Sequence, residues 1–108
     1  LRLEAAIGEL PADGRSTTVI RAYVGDAYGN PVVDGTPVTF DTNRGTLYND
    51  QLRHTVGTLD GRASTVLRSD RFPGSALVIA SAGATSAQIA VEFLPVPKYT
   101  IYLPLIRD

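Results

Sequence analysis

Asp26, Asn30 and Asp34 stand four residues apart in the stretch GDAYGNPVVDGTPVTF, residues 25–40. Oxygen donors of this kind are what a hard cation such as calcium binds. Asp41, Asp60 and Asp70 add carboxylates near the ends of apolar runs, where a calcium-bearing β-sandwich would gather its ligands. Calcium loops, however, usually carry acids at every second position, and a spacing of four suits side chains that bond turn backbone. No metal is therefore expected. His54 is the single histidine, and no Gly-x-Ser-x-Gly elbow accompanies it, so a serine triad lacks its parts and His54 is expected to be a surface residue. The remaining acids lie mostly at turns and do not read as the cleft-flanking pair of a glycosidase. A Gly-x-x-x-x-Gly-Lys phosphate loop is missing, and a chain with no cysteine has no thiolate chemistry or zinc-cysteine site. Tyr23, Tyr28, Tyr48 and Phe72 could stack on a sugar, but they follow no repeated spacing. The expectation is a protein without catalytic residue or cofactor.

The elements that would position these residues are strands. In STTVIRAYV, Thr18, Ile20, Ala22 and Val24 share one face, while Arg21 marks the other. Val38 and Phe40, then Ala63, Thr65 and Leu67, repeat the period of two. Ala76, Val78 and Ala80 alternate with Leu77 and Ile79, which suggests a strand covered on both faces or lying beneath a loop. Ala87, Ile89, Val91 and Phe93 form the last inward set, and Leu1, Leu3, Ala5 and Ile7 the first. Between them PADG, YGNP, VDG, LDG, FPG and SAGA are turn chemistry, and no long window has helical period. About seven short strands at this spacing predict an all-β, antiparallel β-sandwich. Pro37 cannot donate to a ladder and belongs at an edge, a strand start or a bulge, so the 36–40 strand is expected near a sheet edge. Residues 44–57, the least periodic stretch, are expected to form a long connection between sheets.

A length of 108 residues suits one domain, and 10 basic against 11 acidic residues, a net charge of -1, give no sign of a nucleic-acid or anionic-membrane partner. No apolar run reaches the roughly 20 residues a membrane helix needs.

The order of DAYGNPV, GTPVTF, GTL and LDGRASTVL, followed by two Ala/Val strands, resembles the bacterial immunoglobulin-like domains of the intimin and invasin type, often called Big-1. The resemblance runs from about Leu3 to Phe93 and is carried most by Asp26, Gly29, Asn30, Pro31, Asp60 and Gly61. Pro37 and residues 48–57 depart from the family pattern. The resemblance implies an immunoglobulin-like sandwich, usually repeated in a rod, in secreted or surface-attached bacterial proteins, with neighbouring domains of the same polypeptide as its partners. It brings no shared catalytic residue. The resulting expectation is a non-catalytic structural module, with a carbohydrate- or protein-binding accessory module of an extracellular enzyme as the alternative.

Residues 1–94 form the expected domain and 95–108 a Pro-rich extended C-terminal tail, LPVPKYTIYLPLIRD from Leu94 onward. Ile101, Leu103 and Leu105 share a face there and are expected to bury against protein, either this domain, a neighbour, or a second copy reached through the tail or an edge strand. The YLPL ending is similar to short tails that close some secreted bacterial proteins.

Overall fold

The computed structural model describes residues 1–96, so the contacts expected of Ile101, Leu103 and Leu105 lie outside the described residues. Eight strands follow in order: β1 (Arg2–Ala5), β2 (Glu9–Pro11), β3 (Thr17–Tyr23), β4 (Pro37–Thr42), β5 (Arg53–Gly57), β6 (Arg62–Arg68), β7 (Gly74–Ala82) and β8 (Thr85–Leu94). A tight turn, Tyr48–Asp50, with Asn49 and Asp50 at φ 57° and 58°, precedes β5. The strands make two sheets, β1-β3-β6 and β2-β8-β7-β4-β5. Alternation decides what each sheet buries. Thr18, Ile20 and Ala22 of β3 and Ala63, Thr65 and Leu67 of β6 face Val38 and Phe40 of β4, Ala76, Val78 and Ala80 of β7, and Val91 and Phe93 of β8. The two large rings have small cross-strand neighbours, Ala80 beside Phe40 and Gly74 beside Phe93. That pairing leaves room for both rings in one dry layer.

Three expectations change. The first strand does not alternate through Ile7: β1 pairs antiparallel with β3, the chain crosses at Gly8, and β2 pairs parallel with β8. Ile7 is consequently 55% exposed, its N–H held by Thr18 Oγ1 at 2.8 Å, and Leu10 takes the core position instead. β7 is covered on one face only, with Ile79 left 37% exposed. Residues 44–57 reach the other sheet, where Thr46 bridges Arg68, but then return and make β5 at the edge of the five-stranded sheet. β5 escaped notice because an edge strand with only His54 and Val56 half-buried carries little apolar signal. Pro37 opens β4, where no ladder bond is lost, and β4 lies one strand in from the edge.

Strand direction fixes where the chain enters and leaves. Leu1 begins β1 at the end of the sandwich that holds the close of β3 and the start of β6. Leu94 closes β8 at the opposite end, beside Pro11 and Ala12. Buried hydroxyls tie loops to strands throughout. Thr42 donates to the Arg44 carbonyl, Thr58 to Val33, and Ser69 to Asp13, so none of these polar atoms is orphaned in the core.

Candidate functional site

The six signature residues converge at the incoming end. Asp26 Oδ1 accepts the N–H groups of Tyr28 and Asn30 at 2.8 and 2.9 Å, and Asn30 O accepts Asp26 N–H at 2.8 Å. Those donors, Asn30 first and Tyr28 second, hold the Asp26 carboxyl below its usual range. Gly29, at φ 81°, supplies the left-handed step that closes this loop. Pro31 then bridges back to Gly25.

Asp60 and Gly61, at φ 54° and 74°, form a two-residue hairpin turn in which Leu59 and Arg62 exchange both backbone bonds, at 2.9 and 3.0 Å. The turn carries the chain from β5 in one sheet to β6 in the other. Gly61 O accepts Val24 N–H at 2.7 Å, and a Cβ on Gly61 would lie 2.9 Å from both Pro31 Cβ and Val24 O. The contact therefore locks the 25–31 loop onto the 59–62 turn. Asp34 Oδ1 accepts Asp60 N–H at 3.0 Å, which draws in the second corner of the opening stretch. The two corners, separate in sequence, are thus joined through the 59–62 turn, and Gly25, Gly29, Pro31, Asp60 and Gly61 line a hollow of about 290 Å³ together with Leu1, Arg2 and Tyr23.

The acids considered as cation ligands do not gather. Asp41 pairs with Arg53 at 2.7 Å and Asp70 with Arg44 at 2.8 Å, both toward the outgoing end. Among the described residues no three His, Asp or Glu side chains come together in a metal-binding group. His54 is corrected from a loose surface residue to a half-buried strap on β5. Its Nδ1 lies 2.8 Å from Thr65 Oγ1 of β6, and its ring stacks on Tyr48 at 4.9 Å. The exposed aromatics divide between the ends, Tyr28 with the incoming loops and Tyr48 and Phe72 with the outgoing ones.

Two polar centres stand at the outgoing end, one around Asp70, considered above only as a cation ligand, and one around Asp13. Arg44 grips Asp70 with two parallel bonds, Nε to Oδ2 at 3.2 Å and Nη2 to Oδ1 at 2.8 Å. It also donates to the carbonyls of Phe72 and of Pro73, and lies over the Phe93 ring at 5.4 Å. No spacing rule links residues 26 apart, so only folding reveals the pair. Asp13 accepts the Ser16 N–H first and the Arg15 N–H second, both at 2.8 Å, and then the hydroxyls of Ser16 and Ser69, which against the burial of the group drives its carboxyl far below the usual range. The Asp-Gly-Arg-Ser run was a legible signal for that loop. These arrangements fasten loops: Arg44 ties the 70–73 segment to the 42–45 turn, and Asp13 ties its own turn to Ser69.

Relatives place this geometry. The pattern of the bacterial Ig-like domain (group 1) matches residues 1–94. No curated protein sequence matches the chain. A C-terminal 282-residue fragment of intimin, solved with the translocated intimin receptor's intimin-binding domain, is 27% identical at a TM-score of 0.70, over 86% of this chain and 32% of that one. Invasin, a bacterial integrin-binding protein, is 26% identical at 0.71, over 88% and 19%. A family 2 glycosyl hydrolase member from Bacteroides cellulosilyticus, 23% identical at 0.71 over 86% and 14%, shares the fold. The chain thus spans a third or less of each of these structures. With the matched pattern covering both corners and both sheets, the chain belongs to the bacterial Ig-like domains of group 1.

Proposed function

We propose that this domain is a non-catalytic spacer in a larger secreted or surface-attached bacterial protein of the adhesin kind, with neighbouring domains of the same polypeptide as its partners. The observation that carries this reading is the placement of Leu1 and Leu94 at opposite ends of the sandwich. Domains joined through such ends stand in series. The parallel β2–β8 pair gives the module its mechanical role. Tension draws β2 toward the incoming end and β8 toward the outgoing end, so the bonds from Glu92 N–H to Gly8 O and from Ala12 N–H to Leu94 O, at 3.0 and 2.8 Å, are loaded together in shear. Bonds loaded together resist more than bonds opened one at a time, and forced unfolding reads that barrier as a rate. The sequence likeness to intimin and invasin supports a surface setting.

Single-molecule stretching of the chain between its ends tests this reading. A discrete unfolding peak is expected, lowered in a Leu10→Pro variant that loses the Leu10 amide N–H and strains the short β2 ladder. Extension without a peak, or a peak indifferent to Leu10→Pro in a variant that still folds, would count against it.

A further inference from the structure

The net charge of -1 conceals two unlike faces. The three-stranded sheet turns Arg2, Arg21, Arg62 and Arg68 outward with Glu4 as its one acid, whereas the five-stranded sheet shows Glu9, Glu92 and Asp41 with Arg53 as its one cation. On the basic face Glu4 is shared by Arg2 and Arg21 at 3.6 and 3.5 Å, and Arg68 meets Asp50 of the 48–50 turn at 2.9 Å. Arg62 makes no ion pair, and the Ser64 hydroxyl no hydrogen bond, among the described residues. Arg21, Arg62 and Ser64 line one groove of about 300 Å³ beside β6, together with Val56, Gly57, Leu59 and Ala63 and with no acidic side chain in its lining.

We infer that this groove binds an acidic polysaccharide, with the Arg21 and Arg62 guanidinium groups on a uronate carboxylate or a sulfate ester and Ser64 on an adjacent hydroxyl. Charge complementarity selects an anion. The backbone argues against an added peptide strand, because the bridges Leu59–Arg62 and Thr46–Arg68 already occupy both ends of the β6 edge. Stacking of nucleic-acid bases is disfavoured as well, since Arg2 covers the Tyr23 ring at 4.2 Å. Leu59, 66% exposed, offers the apolar surface that the C–H face of a sugar covers. This binding role is independent of the spacer role.

Affinity electrophoresis of the full chain in gels containing polygalacturonate, dextran sulfate or neutral dextran tests the inference and separates carboxylate from sulfate as the recognised group. Retardation by at least one acidic polymer and none by neutral dextran is expected, with salt weakening it. Arg62→Glu and Arg21→Glu should each weaken retention at least fivefold, while Arg53→Glu on the opposite face leaves it within twofold. Arg62→Gln replaces Arg62→Glu if the latter does not fold. Free migration in both acidic polymers overturns the inference. So does equal weakening by Arg53→Glu, or retardation by single-stranded DNA as strong as by the acidic polymers.

Discussion

Arg44 concentrates more interactions than any residue singled out for its chemistry. Its side chain is 24% exposed, it binds Asp70 in a fork, and it reaches two carbonyls of the 70–73 loop. Removing it leaves the Asp70 carboxylate partly buried without its partner, so Arg44→Ala is expected to cost about 2 kcal/mol in urea denaturation. Arg44→Lys should recover only a small part, since an ammonium cannot make the planar fork. Carboxylates give the second prediction. Asp13 and Asp26 are pulled down by turn N–H groups, and Glu4 by the Tyr23 hydroxyl, then against burial by Arg2 and Arg21. Burial pushes Asp70 up, but the Phe72 N–H and Arg44 together outweigh it. A folded-state value below the unfolded one stabilises above the unfolded value and is lost as pH falls through the folded one. The melting temperature is therefore expected to be level from pH 5 to 8 with respect to these groups and to decline below about pH 4. Asp13→Asn should flatten part of that decline, visible in melting curves taken every half unit. His54 taught the opposite lesson: a lone histidine looked idle, yet it straps two strands because Thr65 faces it from the other sheet.

At the scale of elements, the Asp60–Gly61 turn is the point where the chain changes sheets, and it holds because Gly61 has positive φ and no Cβ to strike Pro31. Gly61→Ala is expected to lower stability by roughly 1–3 kcal/mol. Its spectral trace should be loss of protection at the Val24 and Leu59 amides in hydrogen exchange, with the β7–β8 hairpin unaffected. The turn type was legible, since Asp-Gly between alternating runs is a hairpin signal. Its tertiary duty was not, because Pro31 and Val24 are distant in the chain. The split of the first strand was equally hidden. Leu1, Leu3 and Ala5 fit one period, and nothing local says that Gly8 passes the chain to a parallel partner whose vacancy beside β8 exists only once the sandwich is assembled. β5 was missed for a related reason: edge strands bury little, so their pattern is faint.

For the whole molecule, the tail supplies the remaining test. Ile101, Leu103 and Leu105 alternate in an apolar run of the sequence and are expected to bury against protein. Deleting residues 96–108 should therefore shift the melting temperature or the solubility; unchanged values in both would remove the idea. What the sequence determined by itself was the period of two, the turn residues and the family pattern around Asp26, Gly29, Asn30 and Pro31, since these depend on neighbours a few positions away. They were enough for an antiparallel-type sandwich and for reading the opening stretch as corners. Tertiary structure decided which sheet each strand joined, that the Asp34 and Asp60 corners meet, that Arg44 finds Asp70, and that four scattered arginines share one face. The physical reason is common to all four. Each depends on registers and contacts between residues far apart in the chain, and those distances close only when the two sheets bury their apolar sides together.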